Sequence, residues 1–177
     1  NYILSVLSCV KYHNIINLLK AFKLLKQKKF EKLRFILILQ ILDKEYFLKV
    51  KKFIKNNFKK EEIIILHNLE NKYLINLYKK AKFYIFSSYC EVFGLTSLEA
   101  MSQKCPVLIS NTSAIPEINQ KAALYFNPDN IEEIKNLMNR LLTENNLKKR
   151  LIKNGNNHFK KFNWNDAVNK TIKILEI

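Results

Sequence analysis

Two glutamates stand eight residues apart around the point where an apolar run gives way to a helical pattern. Glu91 follows the strand-like run 83–86, and Glu99 lies in the pattern that begins after Gly94. A strand, a tight glycine turn and a helix N-terminus form an anion site, because backbone N–H groups and the helix dipole point at the ligand. A carboxylate on each side of such a site indicates a phosphorylated sugar as the ligand.

Glu99 and Gly94 also have purely structural interpretations. Thr96 and Glu99 fit the S/T-x-x-E capping box, in which Thr96 caps the helix and Glu99 bonds back to its N–H. Gly94 fits a tight turn at positive φ. Glu99 therefore stays open between a capping role and a ligand role. Glu91 is harder to explain structurally, since a loop carboxylate beside a helix N-terminus has no packing function.

Six short apolar runs alternate with helical patterns along the chain. They are continuous, which is typical of parallel strands buried on both faces, and they span residues 2–7, 34–39, 63–66, 83–86, 107–109 and 123–126. Helical patterns cover 15–25, 43–59, 70–81 and 95–103, and then 131–143, 145–161 and 163–176 without a further strand. The sequence predicts an α/β fold: a doubly wound, Rossmann-like parallel six-stranded sheet with C-terminal helices.

The strand order decides where a ligand would bind. An order of 3-2-1-4-5-6 places strands one and four side by side, and ligands bind beyond the carboxyl ends of the strands at that reversal point. The loops there would be residues 8–13 and 87–95. With this order, we expect Glu91 and Gly94 to lie at a nucleotide site.

Composition narrows the class of protein. A length of 177 residues suits one domain with a full core, and 48% hydrophobic residues argue against disorder. The three cysteines lack metal-binding spacing, predict no disulfide framework and fit a reducing cytosol. No apolar run approaches the roughly 18 residues that span a bilayer, and no signal peptide is evident. The chain begins with Asn1 rather than Met, as if it were cut from a longer protein.

The charge is strongly positive, with 31 Lys and Arg against 15 Asp and Glu, a net charge of +16. Such a surface attracts nucleic acid, anionic lipid or nucleotide phosphates. Abundant Lys, Asn and Ile indicate a coding bias as the main source of this excess. The lysines between 49 and 60 could rest on anionic lipid, at about 1 kcal/mol per cation, but we slightly favour a solvated helix face.

Residues 87–118 resemble the E-x7-E segment of retaining glycosyltransferases of the GT-B fold, often called glycosyl transferases group 1. The family pattern is roughly P-S-x-x-E-G-F-G-L-x-x-L-E-A-M-A-x-G-x-P-V-V-A-S, and this chain has S-S-Y-C-E-V-F-G-L-T-S-L-E-A-M-S-Q-K-C-P-V-L-I-S. Four further segments are similar to family motifs: K-N at 13–14, L-x-x-L-Y-x-x-A at 74–81, A-A-L-Y-F-D-P at 122–128 and F-x-W at 162–164. Together these segments cover nearly the whole chain.

The resemblance implies a role for each matched residue. Glu91 would lie against the donor sugar near its anomeric carbon as the catalytic residue, and Glu99 would accept hydrogen bonds from the ribose. Backbone N–H groups at 94–96 would hold the diphosphate, and the loop 67–69 would follow the base. The implied donor-binding residues are Glu99, Phe93, Gly94, Leu95, Thr96, Ser8, Lys11, His13, His67, Asn68 and Leu69.

The resemblance also implies the kind of enzyme. Residues 1–177 would be the donor-binding half of a GT-B protein whose N-terminal acceptor domain is absent. Such an enzyme transfers a sugar, with retention, from a nucleotide-diphosphate sugar to a glycan, lipid-linked saccharide or glycolipid. No metal or other cofactor is expected, and the chain has no Asp-x-Asp motif. We expect a cytoplasmic protein, at most peripheral on an anionic membrane, with no nucleic-acid partner and no turnover as an isolated domain.

The chain departs from the family pattern at several glycines and cations. Val92 replaces the first glycine of E-G-F-G, and Gln40 and His67 stand where glycines are expected after strands two and three. Family members usually contact the phosphates with an Arg or Lys from the loop after strand one. The matching positions here hold Ser8 and His13, and Lys11 is nearby and could supply the charge. The phosphate loops must therefore be built from other residues.

Two alternative functions stay open. A non-catalytic basic α/β module could bind nucleic acid or an acidic partner, which the net charge supports. No recognised nucleic-acid motif is present, however, and the lysines spread over all helices. A sugar-nucleotide epimerase of the same fold is the other alternative, and the E-x7-E spacing argues against it.

Overall fold

A computed structural model describes residues 1–26 and 30–175. Within these ranges six strands form one sheet: β1 (Tyr2–Cys9), β2 (Arg34–Ile41), β3 (Ile63–Leu66), β4 (Tyr84–Phe86), β5 (Val107–Ser110) and β6 (Ala123–Phe126). Their order is β3-β2-β1-β4-β5-β6, and every neighbouring pair is parallel. The predicted α/β class, the six-stranded parallel sheet and the strand order are confirmed.

Helices connect the strands and close the domain at its C-terminal end. The α-helices of the described ranges are α1 (Ile15–Leu25), α2 (Lys44–Asn57), α3 (Asn71–Lys80), α4 (Leu95–Ser102), α5 (Ile115–Asn119), α6 (Ile131–Thr143), α7 (Asn145–His158) and α8 (Trp164–Leu175). As predicted, three helices follow β6 and no strand comes after them in the described chain. The predicted end of the last helix, residue 176, lies outside the described residues.

Two helices differ from the sequence prediction. The five-residue α5 was not predicted, because it is too short to show a 3.6-residue period, although Pro116 favours a helix start there. The pattern 145–161 forms α7 only to His158 and continues as a 3₁₀ turn, Phe159–Lys161. Both differences concern short segments in which hydrophobic periodicity carries little information.

The core lies on both faces of the sheet. Ile3 of β1, Phe35 of β2 and Ile85 of β4 have no exposed surface, which explains the continuous apolar runs in the sequence. One polar side chain of β1 is buried among them, and the Ser5 hydroxyl donates to the Ile85 carbonyl at 2.6 Å. This bond ties the two central strands together.

Side chains cap the N-termini of two of the longer helices. Asp43 accepts from the Tyr46 N–H at the start of α2, and Asn130 accepts from the Glu133 N–H at the start of α6. Asp and Asn are both among the residues favoured at such N-cap positions. Among the α-helices of the described chain, α8 alone buries no residue. No helix in the described ranges is both long and apolar enough to cross a membrane.

Candidate functional site

The loops after β1 and β4 meet beyond the carboxyl ends of these neighbouring strands. The Ser87 hydroxyl donates to the His13 carbonyl at 2.6 Å, and the Tyr89 N–H donates to the Tyr12 carbonyl at 2.8 Å. These bonds fix the two loops against each other. The structure therefore places them at the reversal point of the strand order, where ligands bind in such sheets.

A cleft of about 390 Å³ opens between these loops. Its wall contains seven of the residues that the sequence predicted for the donor site: Ser8, His13, Asn68, Glu91, Gly94, Leu95 and Thr96. Gln40, noted in the sequence only as a missing glycine, also lines the cleft. Its oxygen lies 3.5 Å from the Ser8 hydroxyl. The strand ends and the start of α4 thus converge on one space.

Gly94 determines where α4 begins. It has φ of 73° and ψ of 49°, the left-handed conformation, and forms the N-cap of the helix. A Cβ at this position would meet nothing within 4 Å, so glycine is needed for the backbone conformation rather than for space. The first N–H groups of α4, those of Leu95 and Thr96, have no partner within the helix, and both residues line the cleft. This geometry suits an anion.

Of the two alternatives for Glu99, the capping box with Thr96 is not formed. Because Gly94 starts the helix, Thr96 lies within its first turn, and its hydroxyl lies 2.7 Å from the Tyr84 hydroxyl. The Glu99 carboxylate accepts instead from the Tyr78 hydroxyl at 3.1 Å. Both glutamates of the E-x7-E segment are therefore free of helix-capping roles.

Glu91 does have a structural partner, contrary to the expectation from the sequence. Its Oε1 lies 3.1 Å from His13 Nε2, and His13 Nδ1 lies 2.7 Å from the Ser8 carbonyl oxygen. The His13 ring is buried, and the Phe86 ring lies 5.4 Å away. A contact across 78 residues leaves no signal in the local sequence, which explains why the prediction missed it.

Glu99 lies in a second, smaller cleft of about 250 Å³. Tyr78 of α3 lines this cleft together with Asn71. Thr96 and Glu99 are three residues apart in α4, so they lie on the same side of the helix. The two clefts therefore follow one another along α4.

Four other predicted residues lie outside the wall of the first cleft. Phe93 turns away and packs against Phe162, with ring centroids 5.7 Å apart. His67 Nδ1 lies 2.8 Å from the Leu39 carbonyl oxygen, and Leu69 packs against the core. Lys11 lies exposed in the 3₁₀ turn that also carries His13.

Two buried tyrosines support α4 from beneath. Besides contacting Thr96, the Tyr84 hydroxyl donates to the Val6 carbonyl, at 3.2 Å. Burial raises the pKa of Tyr84 and of Tyr78 well above the usual value, so both phenols stay protonated. Nothing in the local sequence around Tyr84 indicates this polar contact.

The three cysteines differ in exposure. Cys90 is exposed and directly precedes Glu91, whereas Cys9 and Cys105 are buried. Burial raises the pKa of Cys9 to about 11 and that of Cys105 to about 12. In the described residues, no three His, Cys, Asp or Glu side chains form a group that could hold a metal ion.

Several curated relatives of the chain are mannosyltransferases. The chain is 30% identical over 101 residues to O-antigen chain mannosyltransferase B of Escherichia coli, which covers 57% of this chain and 26% of that protein. It is 36% identical over 70 residues to an O-antigen chain mannosyltransferase of Salmonella typhimurium, covering 40% and 20%. The chain thus spans about a quarter or less of these relatives.

Solved structures share the fold over nearly the whole chain. An α,α-trehalose-phosphate synthase from Burkholderia xenovorans superposes with a TM-score of 0.88 at 14% identity, over 100% of this chain and 44% of that one. The C-terminal domain of a glycosyl transferase group 1 protein from Francisella tularensis gives a TM-score of 0.78 at 20% identity, over 90% and 85%. The domain matched is therefore a Rossmann-like half of GT-B proteins.

A family model connects this fold with the residues of the cleft. The model of glycosyl transferases group 1 matches residues 1–158, which includes every strand and the whole wall of the cleft. This chain therefore belongs to the glycosyl transferases group 1 family.

Proposed function

We propose that the chain is the donor-binding half of a retaining glycosyltransferase and binds a nucleotide-diphosphate sugar in the cleft between β1 and β4. One observation carries the proposal: Glu91 and the N-terminus of α4 share a cleft at the reversal point of the sheet. The helix N-terminus favours a diphosphate. The carboxylate can stabilise the positive charge that develops on a sugar ring during transfer.

The geometry suggests one orientation of the donor. Its diphosphate would lie at the backbone N–H groups of residues 94–96, with its sugar against Glu91. Its ribose would point along α4 towards Glu99, about 4.5 Å further along the axis than Thr96. Its base would lie near Asn68, which lines the same cleft. The proposed site is thus an elongated one that uses both clefts.

The residues of the cleft fit a transfer that proceeds through charge separation. The bond between the anomeric carbon and the diphosphate oxygen breaks, and its electron pair leaves with the diphosphate. The N–H groups at the start of α4 would receive that negative charge, while Glu91 faces the sugar cation. These groups would then act more strongly on the transition state than on the bound donor, as catalysis requires.

The acceptor would bind to a second domain of the enzyme, separate from the donor-binding half. O-antigen mannosyltransferases among the relatives favour a glycan, lipid-linked saccharide or glycolipid acceptor, made for the cell envelope. We place the enzyme in the cytoplasm, with the basic helices available for peripheral contact with an anionic membrane. Donor binding would need no metal. The 177-residue chain alone should show no sugar transfer, and measurable transfer would contradict this expectation.

Thermal unfolding with UDP, GDP and ADP, each alone and as a sugar conjugate, tests the proposal. A ligand that binds the native chain at a hundredfold excess over its Kd should stabilise it by about 2.7 kcal/mol. Glu99→Gln should lose this shift, whereas Glu132→Gln, on the exposed face of α6, should keep it.

The result names the nucleotide or rejects the site. A shift with one nucleotide identifies the base. If none of the six ligands shifts the transition while RNA or anionic vesicles bind the chain, the non-catalytic basic module becomes the better description.

A further inference from the structure

Both ring nitrogens of His13 face hydrogen-bond acceptors. Nδ1 lies 2.7 Å from the Ser8 carbonyl oxygen, and Nε2 lies 3.1 Å from Glu91 Oε1. A neutral imidazole carries one N–H and one lone pair, so it can satisfy only one of these two oxygens. A ring with a proton on each nitrogen satisfies both.

The backbone around His13 holds the ring in this position. Its carbonyl accepts from the Ser87 hydroxyl at 2.6 Å, and the preceding carbonyl, of Tyr12, accepts from the Tyr89 N–H. The next residue, Asn14, donates its side-chain amide to the Pro128 carbonyl at 2.8 Å. These bonds come from both sides of the crevice and fix the backbone that carries His13, while burial and the contact of Nδ1 with the Ser8 carbonyl oxygen hold the ring itself.

His13 is also the only cleft-lining side chain of the described residues that can carry a positive charge. The wall of the cleft holds no Lys or Arg, and its other charged side chain is Glu91. Lys11 of the same turn lies exposed outside the wall. A diphosphate in this cleft therefore meets one carboxylate and, when His13 is protonated, one cation.

We propose that His13 is the cation of the donor site, held as a doubly protonated ring against Glu91, and that donor binding is coupled to this proton. The inference rests on the proposed function and names the charge that the donor diphosphate requires. His13 would position the Glu91 carboxylate and offset its repulsion of the phosphates. Loss of the proton would leave a lone pair facing Glu91 and a net negative cleft.

The other groups around the ring do not change this assignment. Tyr12 packs edge-on, with ring centroids 4.6 Å apart, and Phe86 of β4 contributes an apolar ring. From the loop before α4, the facing charged group is Glu91. Tyr84 of β4 stays a neutral phenol because burial raises its pKa. Glu91 is thus the side chain that can respond to the charge of His13.

Nitrogen NMR of the ligand-free chain tests the charge directly. The chain has three histidines, so His→Gln variants at 13, 67 and 158 assign the ring signals. At pH 7 the His13 ring should carry a proton on both nitrogens, and Glu91→Gln should leave one proton, on Nδ1. A wild-type His13 ring with a single proton at pH 7 would overturn the proposal.

The pH dependence of donor binding tests the coupling. A nucleotide-diphosphate sugar is the right probe, because its phosphates keep a constant charge between pH 5.5 and 8.5. Its affinity for the wild-type chain should fall as pH rises, by at most tenfold per pH unit, the limit for one coupled proton. His13→Gln should bind more weakly with no slope, whereas His13→Lys should recover affinity without the slope. Recovery by lysine would separate a charge role from a packing role.

Controls separate this inference from the proposed function. His158→Gln is the control, because the His158 ring contacts the Ile118 carbonyl oxygen and does not line the cleft. This variant should keep both the affinity and its pH dependence. If the wild type binds the donor but His13→Gln keeps the slope, the coupling is wrong and the donor site stands. If no nucleotide sugar binds at any pH, the proposed function fails, and the NMR result alone decides the charge of His13.

Discussion

Glu91 and Glu99 are the same residue type in one short segment, yet the structure gives them opposite surroundings. Glu91 Oε1 lies 3.1 Å from an imidazole nitrogen of His13. Glu99 accepts from the phenol of Tyr78, whose pKa burial raises well above its usual value. One carboxylate therefore has an imidazole partner and the other a phenol that stays neutral.

This difference suggests a division of labour between the two glutamates. A neutral, constant hydrogen bond suits recognition of uncharged ribose hydroxyls by Glu99. In the proposed site, the imidazolium that we propose for His13 would suit Glu91, which would lie beside both a diphosphate and a sugar that becomes positive. The two side chains belong to one short segment, but they line two different clefts that follow one another along α4. They are therefore not equivalent.

Replacing each glutamate by glutamine should give the largest effects and different ones. Glu99→Gln should weaken both the nucleotide and its sugar conjugate by roughly 10- to 100-fold, since a hydrogen bond to a charged group contributes about 1.5–3 kcal/mol. Glu91→Gln should weaken the sugar conjugate more than the nucleotide alone, because only the conjugate places a sugar beside it. Titration calorimetry with the ligand pair found by thermal unfolding measures both ratios.

Equal losses for both ligands in both variants would break the comparison. Glu132→Gln is the matched control, because it removes an exposed carboxylate of α6 without touching either cleft. It should leave both affinities unchanged.

Removing the two phenol groups should affect stability unequally. Tyr84→Phe leaves the Val6 carbonyl and the Thr96 hydroxyl without this partner in the core, and should cost about 2 kcal/mol. Tyr78→Phe should cost about 0.5 kcal/mol, because water can reach the exposed Glu99. Urea unfolding of both variants gives the comparison, and a larger loss for Tyr78→Phe would contradict it.

The same tyrosines predict the direction of a stability change with pH. Burial raises the pKa of both phenols, so above pH 10 the unfolded chain binds fewer protons than the native one. The free energy of unfolding should keep the contribution of these phenols below pH 10 and lose it progressively as the pH rises further. Tyr84→Phe should show a smaller alkaline loss than the wild type.

Gly94→Ala, on the Glu91 side of α4, should cost less stability than Tyr84→Phe. A φ of 73° is unfavourable for a residue with a Cβ, so the variant should lose about 1 kcal/mol. No clash adds to this cost, since a Cβ there meets nothing within 4 Å. Gly94→Asn is the control and should lose less, because asparagine tolerates the left-handed region. Equal losses would point to packing rather than backbone strain.

The sheet could be predicted from the sequence because strands buried on both faces appear as uninterrupted apolar runs. Residues 35–39 of β2 and 107–109 of β5, for example, are all buried. The five-residue α5 could not be predicted, because a helix of about one and a half turns is too short to show a 3.6-residue hydrophobic period. The capping box failed for another reason: the left-handed Gly94 starts the helix two residues before Thr96.

Site residues next to strand ends could be predicted, whereas their partners could not. Ser8 and Gly94 follow from topology, since carboxyl ends of parallel strands converge at one edge. The pairing of Glu91 with His13 spans 78 residues, and that of Glu99 with Tyr78 spans 21. Such contacts depend on how loops pack in three dimensions, and no local spacing encodes them.

The contrast among the cysteines gives the protein a ready attachment point for a reporter dye. A maleimide reacts with an accessible thiolate, so it should spare Cys9 and Cys105, which are buried and have raised pKa values. Cys90 is exposed and lies one residue from Glu91. A fluorophore placed there would sit beside the proposed sugar position on the natural sequence, turning donor binding into an optical signal at a single labelled site.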